Sequence, residues 1–261
     1  MISLAVVGVS VSCVSIKSYD IELSSFFKLQ PSISMKYKLF LFDLDDTLLD
    51  FQASELLSFK KTFDHFGIKS IDEIHKTYKV ENNKLWKQIE KGEIDKDFLK
   101  VERFKRTLDH YQIEIPPHKM ANYYMEQLPH HVVLIDGALD VLKYLKQFGE
   151  VGIITNGIEV TQRLRIKNSA LKYYIDFLAV SEECGFAKPD IRFFEFASSK
   201  ASQFSKDTTI VIGDRLEADI LGANKFGIDS IWFNPNNLES TGSAIPTYTV
   251  KKLSEIQTIL L

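Results

Sequence analysis

Leu39-Phe40-Leu41-Phe42 is a continuous apolar run that ends at a cluster of acids, the pattern of a strand buried on both faces of a parallel sheet. The pattern returns along the chain. Val151-Gly152-Ile153-Ile154 ends at Thr155-Asn156-Gly157, Ile210-Val211-Ile212 at Gly213-Asp214, and Ile231-Trp232-Phe233 at Asn234-Pro235. Phe177-Leu178-Ala179-Val180 is a weaker fifth case. Between these runs lie amphipathic stretches at helical spacing: Ala138 to Phe148, Glu159 to Ala170, Arg192 to Lys200 and Glu217 to Phe226. Strands alternating with helices predict an α/β fold, a doubly wound parallel sheet with right-handed crossovers.

From residue 52 to residue 131 the period changes. Leu56, Phe59, Phe63 and Phe66 make one helical stripe before Gly67, and Tyr78, Leu85 and Ile89 make another before Gly92. This predicts an all-helical cap domain over 52–131, inserted into a core made of 35–51 and 132–261. Two chain segments then join cap to core, an arrangement suited to a lid over a site.

Length and composition add limits. A chain of 261 residues can hold a core domain and a smaller partner, and its formal charge of −3 supplies no field for gripping a nucleic acid polymer. Cys13 and Cys184 stand far apart without CxxC spacing, so no disulfide framework or zinc site is suggested, and a reducing, cytoplasmic setting is the default. Leu4 to Ile16 is a serine-diluted apolar run with no Lys or Arg before it, too short to span a bilayer, so no membrane association is expected. Met35 leads directly into the first strand, which makes 1–34 a disordered extension or an upstream start.

The strand ends carry the chemistry. Side chains alternate along an extended chain, so Asp43 and Asp45 can face one spot with Leu44 turned inward. At ~4 Å two such charges repel by roughly 4 kcal/mol at an effective dielectric near 20, which calls for a divalent cation on one side and a proton on the other. Those two neutralisers divide the pair into a nucleophile and a general acid. Asp214, at another strand end, is placed to bind a hard cation, and Asp219 one helical turn on can hold a metal-bound water or a nearby base. With no Cys or His beside them, Mg2+ is the natural ion. Thr155, Asn156 and Gly157 open a helix where an anion can sit, although a plain helix cap would look the same. Pro189 at a first-turn position would fix the start of the next helix and let Lys188 reach inward.

These four segments together resemble the haloacid dehalogenase-like hydrolase superfamily, through Asp43-x-Asp45-x-Thr47, Thr155, Lys188-Pro189 and Gly213-Asp214 to Asp219. The resemblance implies a Rossmann-like core with a helical cap. It further implies Asp43 as nucleophile, Asp45 as general acid and base, Thr155 and Lys188 as phosphate contacts, and Asp43, Asp214 and the Asp45 backbone carbonyl as Mg2+ ligands. From Met35 onward the chain resembles the pyrimidine 5′-nucleotidase branch, through Asp45 to Phe51, Leu85-Trp86 with Gly92, Ile135 to Ala138, Thr155-Asn156-Gly157, Ser181 to Pro189 and Trp232 to Pro235. That likeness implies a small phosphorylated metabolite, a nucleoside 5′-monophosphate, as substrate. Arg215 departs from the branch, which usually has Ser or Thr there. A sugar phosphatase, a phosphomutase and a silent binding protein on the same fold remain open alternatives, while Asp45 argues against dehalogenase chemistry. Phe51, Trp86, Tyr123 and Tyr124 are candidates to stack on a base, or simply core. The six histidines, His65 to His131, all fall between the first two motifs, and only His130-His131, at the return from the cap, are candidates for the site, with a surface or hinge position expected for them.

Overall fold

Every side chain of β1 (Leu39–Phe42) is buried, as a strand flanked on both sides and covered on both faces must be. It pairs in parallel with β2 (Glu150–Thr155) on one edge and β4 (Thr209–Gly213) on the other. β3 (Phe177–Val180) extends the sheet beyond β2, and β5 (Asp229–Phe233) and β6 (Tyr248–Val250) extend it beyond β4, in the order β3-β2-β1-β4-β5-β6. The computed structural model describes residues 35–240 and 242–261, so the expectations for 1–34 lie outside the described residues. Among those described, no helix is long and apolar enough to cross a membrane.

Alternation assigns the two faces. Phe40 and Phe42 join Ile153, Ile210 and Ile212 beneath α5 (Ala138–Leu145) and α10 (Ile256–Ile259). Leu39 and Leu41 join Ile154 and Val211 beneath α8 (Ile191–Ser199) and α9 (Leu221–Phe226). The chain winds outward in both directions from β1, so the carboxyl end of that strand is the switch point at which open α/β sheets build sites.

Between β1 and α5 the chain makes α1 (Phe51–His65), α2 (Asp72–Glu90), α3 (Lys96–His110) and α4 (Pro117–Gln127), packed on a core of their own that includes Phe59, Phe63, Tyr78, Phe104 and Tyr124. Asp50 caps α1 by accepting from the Ala53 amide at 2.8 Å. The two segments that lead into and out of this insertion are laced together. Leu49 bridges Leu134 in antiparallel fashion, Asp50 N donates to Val133 O at 2.9 Å, and Ile135 N donates to Leu48 O at 3.0 Å.

Five details differ from the sequence expectation. The stripe on α1 is rotated: Leu56 is exposed, while Ser54, Glu55, Ser58 and Thr62 are buried beside Phe59 and Phe63. The three hydroxyls donate to carbonyls one turn back, at 2.7 to 2.8 Å, so they enter the interior already satisfied. The helix expected over 217–226 divides into a π-helical turn, Leu216–Ile220, followed by α9. Pro189 lies outside the first turn of α8, because Asp190 is the cap and accepts from Arg192 N at 2.9 Å; the Lys188–Pro189 bond is cis. Likewise Thr155-Asn156-Gly157 precedes, rather than opens, α6 (Glu159–Lys167), whose cap residue is Ile158. β6 was not anticipated, since three residues with an exposed Thr249 at their centre leave no readable run.

Candidate active site

β1 stays in register with β2 and β4 as far as Phe42, which faces Ile153 and Ile212, so Asp43 emerges between two neighbouring strand ends. Its amide donates to Ile212 O at 2.8 Å, which fixes the backbone from which the carboxylate projects. Lys188, from the loop between α7 (Ser181–Cys184) and α8, meets it there. The buried Lys188 Nζ lies 2.5 Å from Asp43 Oδ1, 2.7 Å from Asp219 Oδ1 and 2.9 Å from Ile154 O. Asp219 accepts the Arg215 amide on its other oxygen at 3.0 Å. One Asp219 oxygen thus faces the Lys188 ammonium and the other the Arg215 amide. Thr47 Oγ1 lies 3.4 Å from Asp43 Oδ2 and 3.3 Å from Asp214 Oδ1, and the Asp214 carbonyl accepts from Trp232 Nε1 at 2.8 Å.

One oxygen from each of Asp43, Asp214 and Asp219 falls within 4.8 Å of the others. Burial raises the Asp43 pKa, Lys188 draws it back, and Asp219 and Asp45 push it up again, to about 7. Burial and then the Asp43 and Asp219 charges push Asp214 up to about 9. For Lys188 burial acts downward, but the Asp219 and Asp43 carboxylates outweigh it and hold the ammonium above the ordinary lysine value. Three carboxylates against one ammonium leave two negative charges, which one divalent cation balances. The donors are all hard oxygens, so the residues fit magnesium.

Asp45 sits beside this group with its side chain turned the other way. Gln162 Nε2 donates to Asp45 Oδ2 at 2.6 Å, and Arg165 Nη1 donates to Oδ1. The same Gln162 amide reaches Thr155 Oγ1 at 3.0 Å, and Gln162 Oε1 accepts from Arg165 Nη1 at 2.9 Å. Thr155 Oγ1 also accepts the Gly157 amide at 3.1 Å, which leaves its own proton to donate elsewhere. Asn156 is spent on the lysine loop: its amide donates to Lys188 O at 3.0 Å and its carbonyl accepts from Lys188 N at 2.9 Å. Gln162 and Arg165 were not singled out from the sequence. Their signal was present, as two polar residues three apart on the inward face of α6, where an apolar stripe belongs.

A cavity of about 780 Å³ runs from this group to the helical insertion, with Asp43, Thr155 and Lys188 at one end and Phe51, Trp86, Arg103 and Met125 among its other walls. Tyr124 is buried in the insertion's core instead, and Tyr123 stacks on His65 at 4.0 Å. None of the histidines lines the cavity.

A sequence model of the haloacid dehalogenase-like hydrolases matches residues 40–233. The pyrimidine 5′-nucleotidase PynA of Streptococcus pneumoniae is 38% identical over 224 residues, covering 85% of this chain and 94% of PynA. The pyrimidine 5′-nucleotidase YjjG of Escherichia coli is 29% identical over 226 residues, 87% of this chain and 99% of YjjG. The crystal structure of the HAD-hydrolase YfnB of Bacillus subtilis bound to magnesium superimposes with a TM-score of 0.80 at 36% identity, covering 86% of this chain and 99% of that one.

Proposed function

Because the chain belongs to the haloacid dehalogenase-like hydrolases, we propose that it is a magnesium-dependent phosphatase that forms an aspartyl-phosphate on Asp43 and acts on nucleoside 5′-monophosphates. The observation that carries this reading is the balance of charge at the end of β1: three carboxylates converge beside one ammonium, Lys188, which contacts Asp43 and Asp219. The nucleotide part rests on the relatives named as pyrimidine 5′-nucleotidases.

Asp43 attacks phosphorus as the bond to the leaving oxygen breaks, and Asp45 supplies the proton that the alkoxide takes up. Water then attacks the aspartyl-phosphate while Asp45 removes its proton, and phosphate leaves with Asp43 restored. Both Asp45 oxygens accept hydrogen bonds in the structure, which suits the base of the second half. Proton donation in the first half requires one of those contacts to loosen. Bound magnesium would supply Lewis-acid neutralisation of the phosphoryl oxygens, held by Asp43 and Asp214. Lys188 adds a fixed positive charge and Thr155 a hydroxyl donor to the same oxygens.

The test is phosphate release from p-nitrophenyl phosphate and from a nucleotide panel, with magnesium and with chelator. Asp43→Asn is expected to abolish turnover and trapping of phosphate on the protein, and Asp45→Asn to slow turnover by ~10²–10⁴. Near wild-type release by Asp43→Asn would sink the assignment.

A further inference from the structure

Asp45 is gripped by two buried side chains of α6 that no step of the proposed reaction uses. Arg165 Nη1 donates to Asp45 Oδ1 and Gln162 Nε2 donates to Oδ2 at 2.6 Å, and the two are bonded to each other, Arg165 Nη1 donating to Gln162 Oε1 at 2.9 Å. The Gln162 amide is oriented by its neighbours, since its NH2 faces a carboxylate and its oxygen a guanidinium. Its nitrogen also donates to Thr155 Oγ1 at 3.0 Å, so one side chain sets the spacing between Asp45 and the hydroxyl assigned to the phosphoryl oxygens. Gly157 makes the room. A methyl group added there would lie 2.2 Å from Gln162 Nε2 and 2.6 Å from its Cδ.

Stability does not explain the clamp. Arg165 is fully buried, yet its Nε and Nη2 have no partner among the described residues; it rests on Asp45, Gln162 and the Phe51 ring, whose centre lies 5.4 Å from the guanidinium. Buried donors without acceptors are costly, and an apolar side chain of similar length avoids that cost. The Asp45 side chain is 29% exposed, so it can turn to water when released. Both residues of the clamp present N–H groups. They fit the carboxylate form of Asp45 and not the acid, whose O–H would be set against a donor.

We infer that Arg165 and Gln162 are positioning residues that hold Asp45 as the base for hydrolysis of the aspartyl-phosphate and release it once it has taken the proton. This rests on the phosphatase reading above. In that step the water oxygen bonds to phosphorus, the bond from phosphorus to the Asp43 oxygen breaks, and the water's proton passes to Asp45. The new O–H opposes one of the two donors, so that contact opens and Asp45 is free to give the proton to the next leaving oxygen. The clamp therefore serves the second half of the cycle, and the first half runs with it open.

The experiment mixes each protein rapidly with p-nitrophenyl phosphate in magnesium and follows p-nitrophenolate, free phosphate, and phosphate trapped on the protein by acid quench. Wild type, Gln162→Leu, Arg165→Met and Gly157→Ala are compared. p-Nitrophenolate leaves without needing a proton, so its first release does not depend on Asp45. Each variant is expected to release the first equivalent within about threefold of the wild-type rate and then to turn over roughly 30-fold more slowly, with phosphate held on the protein, a part of the ~10²–10⁴ that a positioned base contributes. Arg165→Met is expected to melt at or above the wild-type temperature. First-release and steady-state rates that fall together in Gln162→Leu and Gly157→Ala overturn the inference, as does wild-type turnover in both. An Arg165→Met protein that melts lower or fails to fold shows a structural role and overturns it too. Phosphate release by all four proteins with none trapped on any variant sinks this inference alone. No release by wild type overturns the phosphatase reading itself, and the inference falls with it.

Discussion

Gly213 shows how closely single residues are fitted around the acids. A methyl group added there would lie 2.3 Å from Asp219 Oδ2 and 2.6 Å from its Cβ, so the whole side chain, not just its tip, would have to move. Asp219 is what shares Lys188 with Asp43, and displacing it releases the lysine from its second anchor. Gly213→Ala is accordingly expected to cost ~1–3 kcal/mol, the usual penalty of overpacking a filled interior. It should also lower kcat at least tenfold; urea unfolding and steady-state kinetics check the two effects, and wild-type values for both would refute the account. At this scale the sequence was most legible where a motif is contiguous. Asp43, Asp45, Thr155 and Lys188 line one cavity and Asp214 and Asp219 stand beside Asp43, although Asn156 is committed to the Lys188 backbone. Gln162 and Arg165 were harder to read, because a polar residue on an amphipathic helix gains meaning only from what it faces. Their partner Asp45 stands 117 and 120 positions earlier in the chain.

Among the elements, the strands were readable and the helices only in outline. β1 to β5 are continuous apolar runs, and such runs admit little else. α1 misled because three of its inward positions are hydroxyl residues that bond to their own helix, which hides a buried face behind polar letters. In the sequence Arg215 is a long cation where the resembled branch usually has Ser or Thr. In the structure it crosses from the loop after β4 to Glu90 at the end of α2, at 2.7 Å, and so ties the insertion to the sheet beside the cavity. Lys96 makes a second tie, donating to Gly157 O at 2.7 Å and Ser181 Oγ at 3.2 Å. The Arg215–Glu90 pair is partly exposed, and such pairs contribute only ~0–1 kcal/mol. Arg215→Glu is expected to leave the melting temperature nearly unchanged and to raise KM by up to about fivefold, the same energy expressed as an equilibrium. Adding Glu90→Arg should restore KM at low salt, and failure of this charge exchange would rule out the tie.

For the molecule as a whole, the raised carboxylates set the dependence of stability on pH. Asp43, Asp214 and Glu55 hold their protons to higher pH when folded, to about 7, 9 and 7, chiefly through burial. Between the ordinary carboxylate range and about 9 the folded chain therefore binds more protons than the unfolded one, and stability falls as pH rises. Lys188, held above the ordinary lysine value, keeps its stabilising charge throughout that window. In chelator the melting temperature should thus decline from pH 5 to pH 9, by ~2–4 °C for each kcal/mol lost. Magnesium should flatten the decline most at the alkaline end, where it replaces protons on Asp43 and Asp214, and should leave the Glu55 part untouched. A melting temperature that climbs with pH in chelator would contradict this ordering. The laced segments at Leu48 to Asp50 and Val133 to Ile135 carry a different consequence. Because the chain departs from the sheet and rejoins it at adjoining, mutually bonded points, the helices form a cassette whose removal leaves two stumps already side by side. A core built this way can exchange one such cassette for another without re-routing a strand, so that selectivity and reaction chemistry can be inherited separately.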